Sequence, residues 1–214
     1  MKQTHGLNVP EKLEELCHPR TMALLIYDMQ VGIRSQIKGG DEIVARVSRA
    51  LTAARKAGMR VVYTRHVSMP KSWMGVTQYR TAMAWQRKEE PDAVTPWFLR
   101  DAPPAAIVPE LAPTADDAIF DKLAMSAFEG TPLRYALRDC GILSLAIAGI
   151  ALEIGIEPTT RHATDVGIIP VVLADACGVG NQEAGEGALA SMRFIGEAII
   201  SEVDTFCRLL DSPG

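Results

Sequence analysis

A carboxylate, an ammonium group and a turn that opens a helix are the features of this chain whose placement points to chemistry. Asp28 closes the apolar run MALLIYD, Lys122 closes DAIFDK, and the stretch AGIALEIGIEP around Gly155 leads from a third apolar run into helical sequence. A lysine within ~4–6 Å of an aspartate favours the ionised carboxylate, while burial opposes it. Such a pair can hold a proton donor or acceptor beside a substrate. The same spacing fits a structural ion pair at a sheet edge equally well.

The elements that must position these groups are legible as an alternation. MALLIYD is short and almost wholly apolar, which suits a strand buried on both faces of a parallel sheet. DEIVARVSRALTAARKAG carries Ile43, Val47, Ala50, Leu51 and Ala54 at helical spacing, with Asp41 as the expected N-cap and Gly58 as the stop. RVVYTRHV reads as the next strand, and a right-handed crossover lays the helix on one face. Residues 68–90 read as loop with some helix. Residues 91–116 contain Pro91, Pro96, Pro103, Pro104, Pro109 and Pro113, which exclude a central strand or a long helix. A long irregular segment in a compact domain is usually a lid or a linker, and strand signals resume at once, so 68–116 is read as a lid. DAIFDK is a third strand, TPLRYALRDCG a helix stopped by Gly141, ILSLAIAGIA a fourth strand, PTTRHATDVG a helix and IIPVVLADACG a fifth strand. The tail from Gln182 to Leu210 suits one or two helices. The expected fold is α/β: one doubly wound, three-layer α/β/α domain over residues 1–214, Rossmann-like with a mainly parallel sheet and a short extension over about 1–20. Ligands of such sheets bind outside the carboxyl ends of the strands, where Asp28, Lys122 and the Gly155 turn are expected to converge on neighbouring strands.

Composition narrows the function classes. The 214 residues carry 22 Lys+Arg against 26 Asp+Glu, a net charge of −4, with 48% hydrophobic residues. At this length one domain buries roughly 70% of the surface its unfolded chain exposes, so no covalent staples are required. An acidic balance without a basic run argues against nucleic-acid binding, which depends on phosphate neutralisation. No window has the ~18 apolar residues of a membrane span, and the N-terminus lacks a signal-peptide core. Cys17, Cys140, Cys177 and Cys207 show no CxxC pairing, as in a cytoplasmic protein with reduced thiols. The expected partners are a small-molecule substrate and further copies of the chain, as a dimer or tetramer, with no cofactor.

The strings YDMQ (Tyr27–Gln30), DKLAMSAF (Asp121–Phe128), AGIALEIGIEPTTRHATDVG (Ala148–Gly167) and LADACG (Leu173–Gly178), in that order, resemble the isochorismatase-like hydrolases. That superfamily includes nicotinamidases, N-carbamoyl amide hydrolases, maleamate amidases and isochorismatase itself, and the likeness spans about residues 20–200. It implies that Asp28 is the acid/base aspartate and Lys122 the active-site lysine. It places a non-proline cis peptide at Ile150–Ala151 and assigns the amides of Ala151 and Gly155 as oxyanion donors. A turn that opens a helix suits developing negative charge through its free N–H groups and dipole.

One departure changes the expected mechanism. Most members carry a nucleophilic Cys in a pattern like G-V-x-x-x-x-C-V followed by T-x-R-x-A. This chain reads Gly149, Ile150, Ala151, Leu152, Glu153, Ile154, Gly155, Ile156, then Thr159, Arg161 and Ala163, so Gly155 takes the nucleophile's place. Glycine forms no thioester. Cys140 and Cys177 are poorly placed substitutes, since buried cysteine usually behaves as a small hydrophobe. Isochorismatases proper, which cleave a vinyl ether, resemble this chain in pairing Asp and Lys with glycine at that position, and their reaction needs no covalent intermediate. Ser126, Gln78, Trp85 and Arg87 are further candidates for substrate contact. Glu153 is either a second carboxylate or an acid favoured by the helix dipole. The histidines, His5, His18, His66 and His162, show no pair at ligand spacing, and no metal is expected. His66 ends the second strand near the site. The reading is a hydrolase without the cysteine nucleophile, acting on a small carboxylated metabolite by vinyl-ether hydrolysis or Cys-independent amide hydrolysis. The alternative is a pseudoenzyme that keeps the pocket for ligand binding or oligomerisation.

Overall fold

The computed structural model describes residues 1–211. A short hairpin of β1 (Lys2–Thr4) and β2 (Leu7–Val9) precedes the main domain. The chain then runs through β3 (Met22–Tyr27), α1 (Val31–Arg34), α2 (Gly40–Lys56), β4 (Arg60–His66), α3 (Val76–Gln86) and β5 (Ala118–Lys122). It continues with α4 (Leu133–Asp139), β6 (Ser144–Ile150), α5 (Glu157–Asp165), β7 (Ile169–Gly178), α6 (Gln182–Ile195), β8 (Ile199–Ser201) and α7 (Val203–Asp211). The six long-range strands form one parallel sheet in the order β5-β4-β3-β6-β7-β8.

The continuous apolarity of β3 and β6 has the anticipated cause: every residue of both strands is buried. Along β3, Leu24 and Ile26 pack with Val47, Leu51 and Phe206 of α2 and α7. Leu25 and Tyr27 face the other way, onto Leu133, Leu137 and Ala163 of α4 and α5. Both faces are covered, which is the arrangement a purely parallel sheet requires. After β3 the chain builds outward through β4 and β5, then returns to place β6 on the opposite side of β3. The sheet therefore changes direction between β3 and β6, and the carboxyl ends of those strands frame the crevice where such folds bind ligands.

Several expectations need correction. Asp41 is not the N-cap of α2: Gly39 holds that position in the left-handed region (φ +74°), while Asp41 lies in the first turn and pairs with Arg34. Gly58 ends the helix as expected, at φ +70°. The strands carrying Asp28 and Lys122 are not neighbours, because β4 lies between them. The tail includes the edge strand β8 as well as helices. The proline-rich segment contains no regular element beyond three single turns, at Pro91–Ala93, Pro103–Ala105 and Pro109–Leu111, each led by its proline. Proline suits that first position because its missing N–H has no helical acceptor to lose.

Candidate active site

Asp28 stands one residue beyond β3 in a left-handed conformation, φ +46°, which turns its carboxylate back over the sheet edge. The carboxylate is 3% exposed and is held from two sides. Lys122 Nζ lies 2.7 Å from Oδ2, and the Thr64 hydroxyl donates to Oδ1 at 2.7 Å. Thr64 Oγ1 in turn accepts the Asp28 backbone N–H at 3.3 Å. The intervening strand thus takes part in the pairing: β4 offers a small hydroxyl side chain, over which the long stem of Lys122 reaches from β5. The Lys122 ammonium also donates to the Ala124 carbonyl at 3.1 Å and sits 4.4 Å from the centre of the Tyr27 ring. A buried ion pair with its remaining donors bonded avoids the cost of an unpaired interior charge.

Gln30, the last residue of the YDMQ string, fastens this corner. Its amide donates to the carbonyls of His66 (3.0 Å) and Ala105 (3.1 Å), and its oxygen accepts the His66 backbone N–H at 2.7 Å. It is fully buried and joins the end of β3 to the end of β4 and to the proline-rich segment.

At the end of β6, the Ile150–Ala151 peptide is cis, and a π-helical turn over Leu152–Ile156 leads into α5. The Gly155 N–H is not free to bind an oxyanion, since it donates to the Ala151 carbonyl at 3.0 Å. Of the residues at the turn's opening, Ala151 and Ile154 line the cavity above the strand ends, while Leu152 is buried. Glu153 does not add a second reacting carboxylate. Its Oε1 accepts the N–H groups of Gly180 (2.7 Å) and Asn181 (2.9 Å), tying the turn to the start of α6.

The space that a side chain at residue 155 would need is filled. A Cβ added to Gly155 would lie 2.6 Å from Tyr27 Cε1 and closer still to the ring's Cζ and hydroxyl. That hydroxyl donates to the Met125 carbonyl. Burial first, and the neighbouring Asp28 charge second, push the phenol well above its ordinary range, so it remains a neutral donor. Tyr27 is a cavity-lining residue that the sequence reading did not single out. The available signal was an aromatic residue directly before the aspartate, in a run otherwise aliphatic. Gly149 is equally constrained: paired with Tyr27 in the ladder at φ +141°, its added Cβ would meet the Tyr27 backbone.

A cavity of about 370 Å³ opens above the strand ends, lined by Asp28, Tyr27, Ile150, Ala151, Trp85 and Arg87 among others. Gln78 is not in it; it lines an adjoining cavity of about 360 Å³, and His66 and Trp85 border both. Lys122 lies behind Asp28, and Gly155 lies beneath the Tyr27 ring. Ser126 does not reach the cavity, because its hydroxyl is engaged with His162 Nδ1 at 2.9 Å. His66 meets Trp85 and Phe98 edge-on, with centroids 6.4 and 6.1 Å apart. Burial lowers its pKa, against an opposing pull from Asp28. The thiol of Cys177 is buried and pushed up to about 12. Among the described residues, no group of three or more His, Cys, Asp and Glu side chains is placed to hold a metal ion. No helix there is long and apolar enough to cross a membrane.

The family model for the isochorismatase domain matches residues 22–204. The chain belongs to the isochorismatase family. Among curated relatives, the ureidoacrylate amidohydrolase RutB of Serratia proteamaculans is 29% identical over 225 residues, covering 97% of this chain and 90% of that protein. The RutB of Klebsiella pneumoniae is 28% identical, covering 95% and 93%. A cysteine hydrolase from Pseudomonas syringae pv. phaseolicola shares the fold with a TM-score of 0.76 and 23% identity, over 91% of this chain and 94% of that one. The N-carbamoylsarcosine amidase of Thermoplasma acidophilum superposes with a TM-score of 0.70 at 19% identity, over 86% and 97%. This family of hydrolases thus frames the site, and the fold is the doubly wound α/β sheet read from the alternation of elements.

Proposed function

We propose that this isochorismatase-family chain hydrolyses a small carboxylated metabolite by direct attack of water, with Asp28 moving the proton and no covalent enzyme intermediate. The observation that carries the reading is the pairing of an intact Asp28–Lys122–Thr64 cluster with a nucleophile position occupied by the Tyr27 ring. Arg87, at the cavity wall, supplies the charge that would meet a substrate carboxylate.

For a C–N substrate the steps follow from the groups in place. Asp28 takes a proton from a water molecule as its oxygen bonds to the carbonyl carbon. The carbonyl oxygen gains charge beside the opening of the π turn, where Ala151 and Ile154 line the cavity. The tetrahedral species collapses with C–N cleavage, and the proton on Asp28 passes to the leaving nitrogen. Lys122 holds Asp28 in place throughout. The names of the RutB relatives support this bond. A second reading, vinyl-ether hydrolysis, is favoured by the engagement of the Gly155 amide within its own turn. That reaction runs through a cationic centre and asks less of an oxyanion site. Asp28, entering as the acid, would give its proton to the enol-ether carbon, and water would add to the cationic carbon and return a proton to Asp28. The resulting hemiketal would break its C–O bond to release a carbonyl compound and an alcohol.

The test is a turnover panel of ureido acids, N-carbamoyl amino acids, maleamate and isochorismate, run on the parent and Asp28→Asn. Turnover of one class, reduced at least a thousandfold in the variant and without an acyl-enzyme mass in the quenched reaction, supports the reading. A trapped acyl adduct on the protein overturns it. Binding without turnover across the panel favours the pseudoenzyme alternative.

A further inference from the structure

The adjoining cavity is unused by the chemistry at Asp28. It measures about 360 Å³ beside the 370 Å³ of the reaction cavity, and His66, Trp85, Trp97, Phe98 and Met125 line both. Apart from those shared rings its walls are largely apolar, with Met69, Met74 and Leu123 among them. Two polar atoms in these walls are buried without a partner: His66 Nδ1 at the junction and Gln78 Oε1 further in. Most buried polar atoms are hydrogen-bonded, and both of these belong to residues that line the chamber. Arg87, the residue that caps α3, lines the reaction cavity but not the second chamber, and no ion pair is formed by it among the described residues.

We propose that the two cavities form one elongated site for a carboxylated substrate that carries a flat apolar group at its far end. The carboxylate meets Arg87, the reacting bond lies at Asp28 and Ala151, and the apolar end enters the chamber bordered by Trp85, Phe98 and Met125. A polar group on that end meets the Gln78 side chain, which lines the chamber. The assignment rests on Asp28 being the reacting centre, and it makes the preferred substrate larger than a simple ureido acid. Aromatic and thioether walls hold flat apolar groups through area burial and edge contacts.

Binding separates this inference from turnover. Titration calorimetry on the full chain and on Asp28→Asn would compare N-carbamoylglycine, N-benzoylglycine and N-(4-hydroxybenzoyl)glycine. Both benzoyl compounds should bind at least tenfold tighter than N-carbamoylglycine, and the hydroxyl should add further affinity. Gln78→Leu should erase the hydroxyl's advantage alone, and Met74→Trp, which narrows the chamber, should erase the benzoyl preference. Because α3 buries none of its residues and Met74 is half-buried, both variants should fold, which thermal melts would verify. Equal affinities for the three probes, no binding of either benzoyl compound, or a preference that survives Met74→Trp would overturn the assignment. A benzoyl preference in a protein that turns over nothing would leave the chamber standing and remove the proposed reaction.

Discussion

Introducing a thiol by Gly155→Cys should fail on its own and succeed with a second change. In the parent, Tyr27 Cε1 is 2.6 Å from where the new Cβ would sit, and other ring atoms are nearer. Ordinary carbon–carbon contact is ~3.5–4.0 Å, so the overlap is about 1 Å before the sulfur is added. The backbone at 155 is not itself a barrier, since Gly155 is not among the positive-φ glycines. The ring cannot swing aside cheaply: it is 1% exposed, and its hydroxyl is bonded to Met125. Overpacking of a tight core costs ~1–3 kcal/mol, and this rigid neighbour puts the cost near the upper end, about 3 kcal/mol. Tyr27→Val should cost about 3 kcal/mol by emptying the same space. The double variant Tyr27→Val/Gly155→Cys should be at least ~1 kcal/mol more stable than the sum of the two single effects. Urea denaturation of the four proteins completes the cycle. In the double variant the thiol stands in a helix-opening turn that favours thiolate, so a thiol-reactive probe should label it at neutral pH faster than a free cysteine. Additivity within ~0.5 kcal/mol would refute the claim that Tyr27 and the residue-155 side chain compete for one space.

Lys122→Met should destabilise the fold by ~3–5 kcal/mol, because it leaves the Asp28 carboxylate buried without its cation; adding Asp28→Asn should recover part of that loss in the same denaturation assay. Iodoacetamide at neutral pH should leave turnover unchanged, since burial pushes the thiols of Cys177 to about 12 and Cys17 to about 11. Peptide mass mapping should find the exposed Cys140 labelled, and substrate-protected inactivation would contradict the mechanism. His66 is held below its ordinary value of 6.5 by burial, so on acidification the unfolded chain takes up this proton before the folded one. Its contribution to stability is therefore flat above about pH 6.5 and falls below it, by at most ~1.4 kcal/mol per pH unit, until the folded imidazole also protonates. His66→Gln should flatten that part of the pH–stability curve relative to the parent, and identical slopes would show that His66 is not held neutral.

The chain's own order of residues determined the doubly wound sheet, because strands buried on both faces are almost wholly apolar, as MALLIY and SLAIAGI are. It also determined the ends at which Asp28 and Lys122 stand, and the absence of a nucleophile at Gly155. It did not reveal β1, β2 or β8, three residues each and not fully buried, too short to show a period. It misjudged the neighbours of Asp28, because sheet order depends on which faces the crossing helices cover and not on the order of strands in the chain. Only the tertiary structure set Lys122 and Thr64 on the two oxygens of the Asp28 carboxylate, set Gln30 as the clamp beneath His66, took Ser126 away to His162, and divided Gln78 from Arg87 between two cavities. It alone made Tyr27 and Gly155 a matched pair. They are 128 positions apart in the chain, and the sequence records their types but not that one fills the volume the other leaves. Close packing decides that, and close packing depends on distances in space.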